Sequence, residues 1–286
     1  LEAVYEEYNI GLSSDWRKVY AALFAKLFPT HPYGTQTTIG LGEHLKNPSI
    51  TNIKNYFKKY YVPNNIAICL SGDLDPDKTV AAIDKYFGSW QPSAHIDVPQ
   101  FPAQPVLTAP VDTTVVGKEA PMLFMGWRAE PSNSQQIDTL EIVAQLLSNG
   151  QAGLFDLDLS QKMKVQEIEA GVTDMNDYSV FYVYGQSKSG QTLQEVRSLA
   201  LDEIEKLKKG NFSDDLLPSI VNNYKRYYYK QLDNNQFRAK QYVEAFINHK
   251  DWKQEVDKLN RISKLTKAEI VKFANQFFRN DFACVY

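Results

Sequence analysis

A short pattern occurs twice in this chain, and it limits how the rest can be organised. Ile53-Lys54-Asn55-Tyr56 with Tyr60-Tyr61 matches Ile270-Val271-Lys272-Phe273 with Phe277-Phe278 at an offset of 217 residues. In both places the spacing is helical, and a short apolar run follows: residues 66–70 and residues 282–286, at an offset of 216. Two amphipathic helices can agree by coincidence. The other reading is two copies of one supersecondary unit, each a helix leading into a buried strand. On that reading copy two runs from about residue 107 to residue 286, residue 1 corresponds to about residue 218, and copy one lacks roughly its first 110 residues.

The stretch between the copies is consistent with this. Residues 89–110 hold Pro92, Pro99, Pro102, Pro105 and Pro110 and show no helical period, so they read as an extended, rather stiff linker. The expected organisation is residues 1–90, a Pro-rich linker over 91–106, and residues 107–286. In the first part, Ser14 or Asp15 caps a helix that Pro29 ends, Ser49 opens another, and Asp75 or Asp77 starts a third. In the last part, residues 113–116, 122–127, 166–174, 179–185 and 282–286 read as strands. Residues 135–147, 191–209, 213–231, 235–249 and 266–278 read as helices. No Gly-rich dinucleotide fingerprint occurs, so the fold class expected is α+β. Its form is tandem copies of a domain with an antiparallel sheet packed against helices, the first copy truncated at its N-terminus.

Composition narrows the function. Thirty-one Lys and Arg against 34 Asp and Glu leave a net charge of −3, without the basic excess of a nucleic-acid binder. No apolar run approaches the roughly 20 residues of a membrane span. Two cysteines make neither a disulfide framework nor a Cys-based zinc site. Both sit in apolar runs and read as buried, inert thiols. The compartment stays open, cytoplasmic or periplasmic. The histidines His31, His44, His95 and His249 form neither H-E-x-x-H nor H-x-x-E-H. His31 and His95 read as loop or surface residues. On a helical wheel Leu1, Val4, Tyr5 and Tyr8 form one apolar stripe, Glu2 and Glu6 lie opposite, and Glu7 falls at the edge of the stripe. A carboxylate there needs a cation or a metal to offset desolvation, or else reaches out to water.

Several segments, taken in order, resemble the insulinase/pitrilysin family of zinc metallopeptidases, the inverzincins, which include the mitochondrial processing peptidases. They are Glu2-Ala3-Val4-Tyr5-Glu6-Glu7, then Leu23 with Leu27-Phe28, His31-Pro32-Tyr33-Gly34, Ile39-Gly40, Tyr60-Tyr61-Val62-Pro63-Asn64-Asn65 and Ser71-Gly72-Asp73. The resemblance implies that the first part is the end of a catalytic-type domain and that residues 107–286 are its non-catalytic sibling. It also implies zinc held by two histidines of H-x-x-E-H and by a downstream glutamate. That glutamate matches Glu7, with Glu6 as the off-by-one alternative. The H-x-x-E-H segment itself is not in this sequence. The implied function is part of a zinc-dependent endopeptidase acting on peptides or small proteins in a chamber between sibling domains. The aromatics Tyr224, Tyr227, Tyr228 and Tyr229 either line such a chamber or are ordinary core and surface residues of one helix. This chain alone is expected neither to hold zinc tightly nor to cleave peptides. Its expected partners are substrate, the other domains of its parent chain and, through exposed strand edges, a second copy of itself. The alternatives are a non-catalytic scaffold or peptide-binding subunit of the same family, and an unrelated α+β binding module.

Overall fold

The computed structural model describes residues 2–286. Leu1, the first member of the apolar stripe, lies outside the described residues.

The chain opens with α1 (Glu2–Ser13) and α2 (Asp15–Leu27). Ser14 separates them and caps α2 by accepting from the Arg17 N–H. Asp15 ties the start of α2 to the loop at residues 117–119. Its Oδ2 accepts from the backbone N–H groups of Lys118 and Glu119, and Lys18 pairs with its Oδ1 at 2.8 Å. The Lys18 hydrogen bond, with the two backbone donors, holds the Asp15 carboxyl down at about 2. Two short helices follow, α3 (Pro32–Thr35) and α4 (Gly42–Lys46). Then come α5 (Ile50–Tyr60), capped by Ser49, and α6 (Pro76–Phe87), capped by Asp75.

Beyond the Pro-rich stretch lie β1 (Val111–Thr113), β2 (Met122–Ala129), α7 (Gln136–Leu147), β3 (Glu167–Thr173), β4 (Ser179–Gln186) and α8 (Leu193–Lys208). Then follow α9 (Leu216–Leu232), α10 (Asn235–Ile247), α11 (Trp252–Ser263), α12 (Lys267–Phe277) and β5 (Ala283–Val285). Asp251 caps α11, which the sequence reading left without an element. Its polar run Lys253-Gln254-Glu255 hides the helical stripe.

The five strands make one sheet in the order β1-β5-β2-β4-β3. β2 pairs antiparallel with β4 from Met122↔Gln186 to Ala129↔Ser179, and β3 and β5 continue that sense. The sheet is thus the expected antiparallel one, and only the three-residue edge strand β1 runs parallel to its neighbour β5. The chain from β1 to β5 traverses the whole of this region, so no tight hairpin forces the two to be antiparallel.

Both faces of the sheet are covered, and β2 is buried along nearly its whole length. Alternate residues divide between two cores. Leu123, Met125 and Trp127 point into the core built with α7, α8, α9 and α12. Met122 and Phe124, with Val180, Ala283 and Val285, point to the other face, where α2 contributes Val19, Leu23, Phe24 and Leu27, and Phe28 follows directly after the helix. Gly126 permits the close approach of α2: a Cβ there would stand 3.0 Å from both Leu23 and Leu27.

The run 66–70 is not a strand, which corrects that expectation. Ile66, Ile68 and Leu70 are exposed, and Cys69 is half-exposed rather than buried. No residue between 32 and 103 is buried. A strand needs a neighbour for its backbone groups, and none of the five strands lies beside this run. The same shortage strips α5: Ile53 is 54% exposed, whereas its repeat partner Ile270 on α12 is fully buried. Cys284, by contrast, is buried in β5, and burial pushes its thiol up to about 12.

Candidate functional site

The His31-Pro32-Tyr33-Gly34 motif proves to be a clasp. Pro32 starts α3, and a Cβ on Gly34 would collide with the Phe28 carbonyl oxygen, so the turn needs glycine. His31 is 1% exposed, not a surface residue. Its Nδ1 accepts from the Tyr33 N–H at 3.1 Å, which assigns the proton to Nε2, and Nε2 donates to Asp177 Oδ2 at 3.0 Å. The Tyr33 hydroxyl accepts from the Asp177 N–H at 3.1 Å. From the Pro-rich stretch, Phe101 packs edge-on to His31 and Gln104 hydrogen-bonds Thr30. These contacts tie residues 28–35 to the β3–β4 loop, and both His31 nitrogens are occupied by protein partners. His95 is exposed and pairs with Asp97 at 2.8 Å.

Glu7, the candidate metal ligand, lies on α1 and is exposed, as are Glu2 and Glu6. Val4 of the expected stripe is 41% exposed, and no residue of α1 is buried. Tyr8 packs near Gly42, and the Lys46 ammonium sits over the Tyr5 ring at 5.2 Å from its centre. Among the described residues Glu7 makes no ion pair or hydrogen bond, and no group of three His, Cys, Asp or Glu is placed to hold a metal ion. One carboxylate cannot replace the three protein ligands that zinc takes in a catalytic centre.

A second constellation was not anticipated. On α7, Asp138 and Glu141 face α11. Lys258 Nζ lies 2.9 Å from Glu141 Oε2 and 3.4 Å from Asp138 Oδ1. Arg261 holds Asp138 Oδ2 through Nη2 at 2.6 Å and Nε at 3.0 Å. The Lys258 side chain is only 16% exposed. Burial opposes its charge, but Glu141, Tyr224 and Asp138 outweigh that and hold it above the ordinary lysine range. Tyr224 on α9 flanks the ammonium, its ring centre 5.8 Å from Nζ, and burial pushes its phenol up to about 12. Tyr228 is half-buried against Phe237, while Tyr227 and Tyr229 are exposed. The four tyrosines thus divide between the core and surface of one helix. The i, i+3 spacing of Asp138 and Glu141 was visible in the sequence, but their cation comes from the unforeseen helix α11.

A cavity of about 350 Å³ opens at the end of β2, walled by Arg128, Tyr178, Phe273, Phe277, Arg279 and Asp281. Neither Glu7 nor Lys258 reaches it.

Comparison with known proteins gives the geometry its context. The family model described as peptidase M16 inactive domain matches residues 49–224, more than half of the chain and across the Pro-rich stretch. The chain belongs to the peptidase M16 family. A curated relative, the zinc protease PqqE of Helicobacter pylori, is 22% identical over 270 residues, which make up 92% of this chain and 60% of that protein. The chain thus spans about 60% of the length of the curated relative it matches. The fold matches the crystal structure of a protease from Helicobacter pylori with a TM-score of 0.91 at 20% identity, over 99% of this chain and 70% of that one. It also matches a peptidase M16 inactive domain from Pseudomonas fluorescens with a TM-score of 0.84 at 13% identity, over 99% of this chain and 68% of that one. The expected insulinase-type, mixed α+β fold is therefore established. No helix among the described residues is long and apolar enough to cross a membrane.

Proposed function

We propose that this chain is part of a zinc-dependent endopeptidase and is non-catalytic by itself. Membership of the M16 family, through its inactive-domain model, carries the reading. Residues 1–90 supply the end of the catalytic-type domain, residues 91–106 link, and residues 107–286 are the sibling. Glu7 supplies one carboxylate toward zinc, and the remaining ligands and the general base come from residues this chain does not contain. Zinc in such a site would lower the pKa of a bound water and polarise the scissile carbonyl. The chain's own contribution is architectural: α2 and the His31–Asp177 clasp fix the first part against the sibling sheet. The substrate is an extended peptide or small protein, and the partners are the parent's other domains.

A second reading, a non-catalytic scaffold or peptide-binding subunit, is favoured by one observation: among the described residues Glu7 belongs to no group of three metal-ligating side chains. Calorimetric titration of the purified chain with zinc, beside a peptide-cleavage assay, tests the proposal. No tight binding and no cleavage are expected. Sub-micromolar affinity at Glu7, or turnover, would overturn it.

A further inference from the structure

The cavity at the end of β2 carries a cation that the protein does not match. Trp127 Nε1 donates to the Arg279 carbonyl at 3.1 Å, which fixes the loop after α12 against the end of the strand. Arg128, the next residue, lines the cavity from β2, and Val106 and Leu107 close it from the Pro-rich stretch. The helix α12 supplies an aromatic wall. There the rings of Phe273 and Phe277 are parallel within 8°, with 5.6 Å between their centres.

Arg128 is half-buried, and burial pushes its guanidinium below the ordinary arginine range. Its side chain donates one hydrogen bond, from Nη2 to the Pro105 carbonyl, and it has no carboxylate partner among the described residues. The cavity's two carboxylates do not fill that role. Asp281 is held by Arg279 at 2.8 Å, and Glu130 is exposed and makes no ion pair among the described residues. The guanidinium thus loses hydration without the anion that would offset the loss. Tyr178 lines the same cavity. Its hydroxyl accepts from the Gln104 N–H at 3.2 Å, and its own proton has no acceptor among the described residues. A charged donor and a neutral one therefore share a cavity with an aromatic wall.

We propose that this cavity binds a carboxylate attached to an aromatic body, the carboxylate held by Arg128 and Tyr178 and the body packed on Phe273 and Phe277. Its volume of about 350 Å³ is at the small end of ligand sites, room for a group the size of an amino acid. A free aromatic acid and the C-terminal residue of a peptide share this chemistry. The site is separate from Glu7, and the inference does not rest on the endopeptidase reading.

Calorimetric titration of the full chain tests it with three probes: phenylacetate, a short peptide ending in phenylalanine, and the same peptide as its C-terminal amide. At least one free acid should bind, and its amide should bind about 10–100-fold more weakly, the loss expected for charge-assisted hydrogen bonds. Arg128→Gln should weaken the acid by a similar factor. Glu130→Gln should strengthen it, because a like charge beside the bound carboxylate is removed. A peptide that binds tighter than phenylacetate by about 10-fold or more assigns the site to peptide C-termini, and a smaller difference assigns it to free acids. Equal binding of acid and amide overturns the proposal. So does unchanged affinity in a folded Arg128→Gln chain, or no binding of either acid at millimolar concentration. Should Arg128→Gln fail to fold, the acid–amide comparison on the unsubstituted chain and the Glu130→Gln variant decide the matter.

Discussion

Leu23→Ala lowers the unfolding free energy by about 2–5 kcal/mol, the range for removing a buried leucine side chain and leaving a cavity. Leu23 is fully buried, and it lies between α2 and the sheet, against Phe124, Val180, Ala283 and Val285. The cavity cannot close easily, because Gly126 is already at contact distance from Leu23 and Leu27. This result would show that a helix from the first part of the chain completes the core of the second. The repeat supplies the control. Ile53→Ala, on the exposed stripe of α5, should change stability by no more than about 0.5 kcal/mol. Ile270→Ala, its buried counterpart on α12, should cost about 2–5 kcal/mol. Urea unfolding monitored by tryptophan fluorescence measures all three. A cost below about 1 kcal/mol for Leu23→Ala would mean that α2 does not hold this position in solution.

Asp138→Ala is expected to cost about 3–5 kcal/mol, as breaking a buried ion pair from one side does. Asp138 is 9% exposed and serves two cations, so its removal strips Arg261 of its close carboxylate and leaves Lys258 on Glu141 alone. A double-mutant cycle with Arg261→Ala separates pairing from desolvation. The double variant should be less destabilised than the sum of the two single changes, since the second change removes a charge that the first had stranded. Strict additivity would show that the two side chains are not coupled.

The sequence exposed more of the second copy than of the first, and for a physical reason. Runs such as residues 122–127 and 179–185 alternate between two buried faces, and turn residues bound them, so their strands could be read locally. The apolar run Ile66-Ala67-Ile68-Cys69-Leu70 carries the same local signal, yet a strand forms only where another strand accepts its hydrogen bonds. The caps Ser14, Ser49 and Asp75 were legible because a side-chain oxygen before a helical stripe has a local role. His31 was not legible as a buried clasp, since its partner Asp177 lies 146 residues away. The lysine at the centre of the α7–α9–α11 cluster was hidden for a similar reason: its helix α11 looks polar, and only packing brings Lys258 to Asp138 and Glu141. Glu7 could be placed on its helix from the sequence, but its surroundings could not.

The role proposed for Glu7 is that of a zinc ligand in the assembled full-length protein. Metal content of the full-length protein, purified with and without Glu7→Gln and washed with a mild chelator, tests this most directly. The expected result is stoichiometric zinc in the unsubstituted protein and loss of most of it in the variant, with circular dichroism unchanged. Equal zinc in both proteins, or none in the unsubstituted one, would contradict it.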